Sequence, residues 1–355
     1  MAPRSLLLGH TERLTRGCYG NPHSENPSSR ASGELVARAR AAVLQHFRAD
    51  PAEYAVIFAP NATGAMKLVG ESYPFGRGSR LVLPIDNHNS VNGLREYART
   101  RHARTVYVPL AGPDLRVDEA ALRGALPRGG RGLFAYPAQS NFTGVQHPLG
   151  WIGAAQSRGY DVLLDAAAFV PAHPLDLSRV HPDFTAVSWY KVFGYPTGIG
   201  TLIARREALA RLRRPWFAGG TIQAASAQVA WHVMAGGEAA FEDGTVNFLS
   251  IPDVTAGLEW IGSVGIEAVR GHVTSLTGQL LAGPGALRHS GGQPMVRLYG
   301  PRTTQGRGAT VALNLLRPDG GIIDERIVTR DSGRRGISLR TGCFSIPGPA
   351  RPRSP

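Results

Sequence analysis

Lysine is almost missing from this chain of 355 residues, and cysteine and long apolar runs are scarce as well. The lysines are Lys67 and Lys191, against 37 arginines, and the cysteines are Cys18 and Cys343. Two cysteines cannot build the disulfide framework of a small secreted domain, and no Cys/His cluster has metal-site spacing. The longest apolar runs stop far short of the roughly 20 residues that a membrane-spanning helix requires. The sequence therefore predicts no disulfide-rich module, no bound metal and no membrane span.

Positive charge is abundant, with a formal net charge of +13 at pH 7. A basic face can neutralise nucleic-acid phosphates, but the arginines are scattered and no zinc-finger or RNA-binding signature accompanies them. We interpret them as a solvated surface and expect no nucleic-acid partner. Hydrophobic residues make up 43% of the chain and charged residues 18%, which favours a buried core over disorder. The N-terminus lacks the apolar segment of a signal peptide, so we expect a cytoplasmic protein.

Short β-rich runs alternate with helical patterns along most of the chain. The predicted strands lie at 54–59, 81–85, 105–110, 132–136, 161–164, 185–189 and 200–204. Helix-like spacing separates them, which is typical of an α/β domain with a mostly parallel sheet. We assign residues 36–248 to this large domain.

The two ends of the chain follow other patterns. Residues 1–35 are rich in turn formers and are predicted as an N-terminal arm. After 248 the sequence predicts helices at 251–264 and 267–281, a Gly/Pro joint at 283–285, and strands at 295–299, 309–315 and 336–339. We therefore predict a smaller, apparently shortened C-terminal domain over 249–355.

Lys191 and Asp165 each follow a predicted strand. The carboxyl ends of strands in an open α/β sheet face the ligand crevice, where a desolvated lysine becomes a competent nucleophile. By position alone, Lys191 is equally well an ordinary surface lysine. A carboxylate ending a buried strand needs a positive partner, which for Asp165 is a protonated cofactor ring, a helix N-terminus or an arginine.

Two further loops follow the first two strands. The segment 61–64, with Thr63, lies where a strand turns into a helix, so it either holds a phosphate or caps the helix. His88, in the segment 86–90, either stacks on a flat cofactor or stabilises a turn.

The order of these motifs resembles that of a known family. The matching strings are YGNPHS (19–24), DNHNSV (86–91), YPAQSNFTG (136–144), LDAAA (164–168), SWYKVFGYPTG (188–198), FEDGT (241–245) and RTGCF (340–344). They resemble class V aminotransferases, which are pyridoxal phosphate (PLP) enzymes of fold type I. Within that family, they are most similar to the aminotransferase-like domain of molybdenum cofactor sulfurases, relatives of the cysteine desulfurases. The resemblance implies a PLP cofactor, a fold-type-I α/β large domain with a smaller α+β domain, and a homodimer.

The resemblance also implies residue roles. Lys191 would hold the PLP aldehyde covalently, Asp165 would keep the ring nitrogen protonated, and His88 would stack on the ring and move protons. Arg340 would clamp the substrate carboxylate, and Cys343 would accept sulfur. The remaining cofactor contacts would come from Ala62, Thr63, Asn141, Ser188, Tyr190 and, from the second subunit, Thr221.

The sulfur step departs from the family pattern. Sulfurases carry a second cysteine, the expected acceptor, where this chain has Ser345, and a hydroxyl is neither ionised nor soft enough to replace a thiolate. Cys343 would have to substitute for it. The first hypothesis is a cysteine desulfurase or C–S lyase acting on a small amino acid, with an unidentified sulfur acceptor. The alternatives are a PLP-dependent transaminase, lyase or β-replacement enzyme of a specialised pathway, and a non-catalytic, truncated relative.

Overall fold

A seven-stranded sheet forms the centre of the protein. The computed structural model describes residues 3–342. Its strands are β1 (Tyr54–Ala59), β2 (Arg80–Pro84), β3 (Arg104–Val108), β4 (Leu110–Ala111), β5 (Arg116–Val117), β6 (Gly132–Pro137), β7 (Tyr160–Asp165), β8 (Phe184–Ser188), β9 (Gly200–Arg205), β10 (Ile222–Ser226), β11 (Trp231–Met234), β12 (Val296–Tyr299) and β13 (Ala312–Leu315). The central sheet has the order β1-β9-β8-β7-β6-β2-β3, and β4-β5, β10-β11 and β12-β13 form separate pairs.

Helices cover both faces of this sheet, and further helices lie in the N-terminal and C-terminal parts of the chain. They are α1 (Arg4–Arg16), α2 (Pro27–His46), α3 (Ala62–Ser72), α4 (Asn89–Asn92), α5 (Leu94–Thr100), α6 (Glu119–Ala125), α7 (Trp151–Gln156), α8 (Trp189–Phe193), α9 (Arg206–Arg211), α10 (Pro252–Val264), α11 (Ile266–Ala286) and α12 (Glu325–Arg334). A short 3₁₀ helix spans Gly237–Phe241.

The strand directions confirm the predicted α/β class. Strands β3, β2, β6, β7 and β8 pair in parallel, and β9 alone runs against its neighbours β1 and β8. Each of the seven predicted strand runs falls on one strand of this sheet, with ends displaced by two residues or fewer. The hydrophobic pattern therefore located the whole sheet, since buried parallel strands read as nearly continuous apolar runs.

The sheet separates two apolar layers. Along β1, Tyr54, Val56 and Phe58 face one layer, whereas Ala55 and Ile57 face the other, as the two-residue period of a strand requires. Helices α2, α7, α8 and α10 contribute to the first layer, and α3, α5 and α9 contribute to the second. Helical layers on both faces leave the carboxyl edge of the parallel strands for a binding site.

The N-terminal arm is more helical than predicted. It contains α1 and the beginning of α2, so the predicted boundary at residue 35 falls inside a helix. The carboxylate of Asp253 in α10 holds α1 in place: it is fully buried and lies 2.7 Å from His10 Nδ1 and 2.5 Å from Arg13 Nη2. The arm thus packs on the main body through a buried charge with two partners.

Two predictions near the C-terminus were wrong. Helix α11 does not stop before the Gly/Pro joint but continues through Pro284 to Ala286. Residues 336–339 form no strand; they follow α12, which the sequence pattern missed. Helix α12 carries only two apolar side chains, Ile327 and Val328, among charged and small residues and buries neither, so its apolar pattern is too weak to reveal it.

Two negative observations hold for residues 3–342. None of the helices there combines the length and apolarity needed to cross a membrane. In the same residues, no cluster of three or more His, Cys, Asp or Glu side chains has the arrangement of a metal site.

Candidate active site

The predicted site residues follow the ends of neighbouring parallel strands. His88 follows β2, Asn141 follows β6, Asp165 ends β7, and Lys191 lies in α8 directly after β8. Parallel strands end at the same edge of a sheet, so these residues meet there. His88, Asp165 and Lys191 are close enough for their charges to act on one another.

Asp165 is a buried acid, with 7% of its surface exposed. Burial raises the pKa of its carboxyl, whereas the hydrogen bond from the Ala167 N–H and the charges of Lys191 and His88 lower it. The Ala167 nitrogen lies 3.0 Å from Asp165 Oδ1. A carboxylate in this position is stabilised as an anion when a cation lies beside it.

His88 is half-buried and accepts a hydrogen bond within its own turn. Its Nδ1 lies 3.1 Å from the Ser90 backbone nitrogen and 2.9 Å from Ser90 Oγ. Burial lowers the pKa of His88; the Asp165 carboxylate opposes this, and the charges of Lys191 and Arg340 add to it. Because the backbone N–H needs a lone pair on Nδ1, we assign the neutral tautomer with its proton on Nε2.

Buried polar side chains fix the turn that carries His88. Asn87 Nδ2 donates to carbonyl oxygens of β2 and β6, both at 3.0 Å. Asn92 Nδ2 donates to the carbonyl of Asn87 at 2.7 Å. Behind the turn, His147 Nε2 lies 2.9 Å from Asp86 Oδ2, with both side chains 2% exposed. The position of His88 is therefore set by contacts to two strands, as preorganised sites require.

The loop before α3 both caps the helix and keeps amide groups available. Asn61 Oδ1 accepts from the Gly64 N–H at 2.9 Å, which is the predicted helix cap. Ala62 and Thr63 form the first turn, and the Thr63 side chain is exposed. Strand β9 passes so close that a Cβ on Gly200 would lie 2.2 Å from the backbone carbon of Asn61. The two alternatives for this loop, cap and anion site, are thus compatible.

Lys191 projects from a short helix anchored on both sides. Trp189 is fully buried and its indole N–H donates to Thr201 Oγ1 at 2.7 Å. Phe193 packs so tightly against α10 that a Cβ on Gly257 would lie 2.3 Å from its ring. Lys191 itself is half-buried. Its backbone is therefore rigid while its side chain faces the edge of the sheet.

A segment of the C-terminal part supports the loop that carries Asn141. Arg307 is 4% exposed; its Nη2 donates to the carbonyls of Thr143 at 2.9 Å and Thr310 at 2.7 Å, and its Nη1 donates to that of Pro301. The Gly308 N–H donates to the Gly144 carbonyl at 2.8 Å. Asn141 is half-buried at the tip of this loop.

The other predicted residues occupy varied positions. Ser188, at the end of β8, is 3% exposed, whereas Tyr190 is 46% exposed. Arg340 lies near enough to His88 to affect its pKa. Thr221 is fully buried, and its hydroxyl donates to the Ala218 carbonyl of its own loop at 2.8 Å. Cys343 lies outside the described residues. The roles of all these residues remain predictions.

Three supporting residues escaped the sequence predictions. Ser90 and His147 lie within or beside the quoted motifs but had no role assigned, and Arg307 stood among 37 arginines. His147 and Asp86 are separated by 61 residues, and Arg307 and Thr143 by 164. Contacts over such separations leave no local pattern in one sequence.

Comparison with known proteins agrees with this architecture. Residues 3–345 match the family described as aminotransferase class-V. A molybdenum cofactor sulfurase of Solanum lycopersicum is 37% identical over 94% of this chain and 45% of its own length, so the chain spans about half of that relative. A cysteine desulfurase from Thermococcus onnurineus NA1 has a TM-score of 0.82 at 22% identity, covering 98% of this chain and 83% of its own. The cystine C–S lyase C-DES has a TM-score of 0.78 at 21% identity, covering 96% and 87%. The fold is that of these enzymes, and the chain belongs to the class-V aminotransferase family.

Proposed function

We propose that this chain is a PLP-dependent enzyme that breaks the C–S bond of cysteine, as a desulfurase or C–S lyase. The observation that carries the proposal is the meeting of Asp165, His88 and Lys191 at one edge of the sheet, beside the amide groups that begin α3. The printed names of the relatives, molybdenum cofactor sulfurase, cysteine desulfurase and cystine C–S lyase, support the choice of a sulfur amino acid.

The described residues fit the cofactor. Asp165 is a buried acid that needs a cation, and a protonated pyridine nitrogen supplies one. The α3 amide groups and the Thr63 hydroxyl suit a phosphate, and Gly200 permits the close approach of β9 that holds their loop. Ser188 would add a hydroxyl to this phosphate site, Asn141 would bond the ring hydroxyl, and Lys191 would hold the aldehyde.

Each residue then has a defined task. When bound, PLP supplies an electron sink that weakens the bonds at the substrate Cα. Asp165 keeps the ring nitrogen protonated through its negative charge. Lys191 Nζ takes the proton from Cα, and His88, whose Nε2 carries a proton, lies beside it as a donor. Arg340 holds the substrate carboxylate with its two parallel N–H groups.

The fate of the sulfur distinguishes two forms of the reaction. With a thiol acceptor, cysteine and the enzyme thiol give alanine and an enzyme persulfide, and Cys343 is the proposed acceptor. Without one, cysteine and water give pyruvate, ammonia and hydrogen sulfide. Ser345, at the position of the expected acceptor, favours the second form, and the same feature supports a transaminase or β-replacement enzyme as the alternative function.

A homodimer is part of the proposal. Trp216 and Phe217 are 52% and 42% exposed, and Trp231 and Val233 on the neighbouring hairpin are 53% and 39% exposed. Exposed aromatic side chains grouped on one segment are typical of an interaction surface. Thr221 lies in the same segment, but its side chain is fully buried and bonds Ala218 of its own loop, so the exposed aromatic side chains rather than Thr221 support the dimer. Sedimentation would test the dimer, and cell fractionation would test the predicted cytoplasmic location.

The two lysines give the central experiment its own control. Purified protein supplied with PLP should gain a visible absorbance band, and borohydride should attach the cofactor to Lys191. Lys191→Ala should lose the band and all turnover, whereas Lys67→Ala should keep both, since Lys67 lies 61% exposed on α3. Incubation with cysteine should release alanine or pyruvate with sulfur.

The result of this experiment separates a non-catalytic relative from a PLP enzyme that acts on another amino acid. A protein that remains colourless and unlabelled with PLP would refute a PLP enzyme and favour a non-catalytic relative. A coloured protein that ignores cysteine but shifts its spectrum with another amino acid would favour the transaminase or β-replacement alternative. Cys343→Ala should abolish persulfide formation only if that thiol is the acceptor.

A further inference from the structure

A continuous hydrogen-bonded path joins the first turn of α3 to His88. Thr63 Oγ1 lies 2.7 Å from Ser90 Oγ, and Ser90 Oγ lies 2.9 Å from His88 Nδ1. The Ser90 backbone nitrogen is 3.1 Å from the same Nδ1. Ser90 is thus the only one of the three residues that touches both others through its side chain.

The available protons give this path a direction. The Ser90 backbone N–H points at Nδ1, so Nδ1 offers a lone pair and carries no proton. Ser90 Oγ can then only donate to Nδ1, which leaves its lone pairs for the Thr63 hydroxyl. The protons therefore run from Thr63 to Ser90 to His88.

A phosphate at Thr63 requires the opposite direction. A phosphate dianion only accepts hydrogen bonds, so Thr63 must turn its single proton toward it. Thr63 Oγ1 then accepts rather than donates, and the Ser90 hydroxyl turns from His88 to Thr63. His88 Nδ1 loses one donor as the phosphate site gains one.

We propose that Ser90 is a positioning residue that transmits anion binding at the start of α3 to the protonation state of His88. This inference rests on the proposed function, because it takes the group bound at Thr63 to be the cofactor phosphate. Ser90 itself touches no substrate in this scheme. It keeps His88 neutral until the phosphate arrives, and then lets the imidazole become a stronger base.

The direction of the effect on His88 follows from its surroundings. Burial lowers the pKa of His88, Asp165 at the end of β7 opposes that effect, and the charges of Lys191 in α8 and of Arg340 add to it. Loss of the Ser90 donor removes a stabilisation of neutral imidazole, and a phosphate dianion favours imidazolium. Both effects raise the pKa of His88 when phosphate binds.

The test is nuclear magnetic resonance of the ¹⁵N-histidine-labelled full-length chain, with the His88 signals assigned through His88→Gln. Inorganic phosphate, and separately PLP, is titrated into wild type, Ser90→Ala, Ser90→Thr and the exposed control Ser263→Ala, whose hydroxyl bonds only within α10. In wild type we expect the Nε2–H tautomer and a rise in the His88 pKa with phosphate.

Ser90→Ala should raise the His88 pKa without ligand and reduce the rise caused by phosphate. One hydrogen bond of ordinary net strength corresponds to about a five-fold change in the protonation equilibrium. Ser90→Thr should restore wild-type behaviour, since it keeps the hydroxyl, and Ser263→Ala should not differ from wild type.

The outcomes separate this inference from the proposed function. If phosphate and PLP bind but Ser90→Ala titrates like wild type, the relay is refuted and the enzyme assignment stands. If neither ligand perturbs the His88 signals, nor the Thr63 and Gly64 amide signals of a uniformly ¹⁵N-labelled sample of the folded protein, both the relay and the PLP assignment are refuted. A circular dichroism spectrum of each variant establishes that the protein tested is folded.

Discussion

Replacing Arg307 by methionine should loosen the loop that presents Asn141. Arg307 is 4% exposed and donates to three backbone carbonyls, those of Thr143, Pro301 and Thr310. Methionine fills similar volume without donors, so these carbonyls lose their partner. At roughly 1 kcal/mol for each unpaired carbonyl, the free energy of unfolding should fall by about 3 kcal/mol.

This loss should be visible in both stability and cofactor binding. In a protein of this size, about 3 kcal/mol corresponds to a decrease in Tm of roughly 4 °C. PLP should bind about five-fold more weakly, which is the equivalent of one hydrogen bond from a displaced Asn141. Thermal denaturation by circular dichroism gives the first quantity, and titration of the PLP absorbance gives the second.

Two variants make the result interpretable. Arg317→Met removes an arginine that is 57% exposed and 3.5 Å from Asp319, so it should melt close to wild type. Arg307→Lys keeps the charge but not the planar fork and should be intermediate. If Arg307→Met melts with wild type and binds PLP equally well, the support of the Asn141 loop by Arg307 is refuted.

Two further predictions concern buried ionisable side chains. Glu242 is 8% exposed and accepts hydrogen bonds from Arg40 at 2.7 and 2.9 Å. Glu242→Gln should leave Arg40 without an anion and lower the free energy of unfolding, measured by urea denaturation, by about 3 kcal/mol. Glu259→Gln, at an exposed position, should have little effect. Burial and a nearby arginine lower the pKa of His173 below its usual 6.5, so the unfolded chain binds its proton first and stability should fall as the pH drops below 6.5. His173→Gln should weaken this loss of stability in thermal melts between pH 7.5 and 5, whereas His272→Gln, on the surface of α11, should not. Equal pH dependence of the two variants would contradict the assignment of the stability loss to His173.

Local patterns were sufficient for the central sheet. All seven strand runs were visible as short apolar segments. Six of the seven strands are buried along nearly their whole length, which makes the signal independent of the rest of the fold, and the edge strand β3 is the exception. Helix α3 was predicted for a similar reason, since it buries an apolar face and begins at an Asn cap. Helix α12 and the hairpin β10-β11 were missed because neither buries a face in the core.

The strand order also explains how far the site could be predicted. Asp165, His88 and Lys191 were selected because each follows a predicted strand, and carboxyl ends of parallel strands converge whatever the side chains between them. The roles of the individual residues came from the family resemblance rather than from the pattern. Tyr190, which the resemblance alone suggested, is 46% exposed, whereas the adjacent Lys191 is half-buried, since neighbouring positions on a short helix point in different directions.

The amino-acid sequence by itself determined the α/β class, the seven strands and the chemical groups that end them, because burial and strand period are local properties. The tertiary structure alone decided which groups support one another: Ser90 between Thr63 and His88, Asp86 with His147, and Arg307 beneath the Asn141 loop. These contacts depend on distances between segments far apart in the chain, and hydrogen bonds act only over about 3 Å.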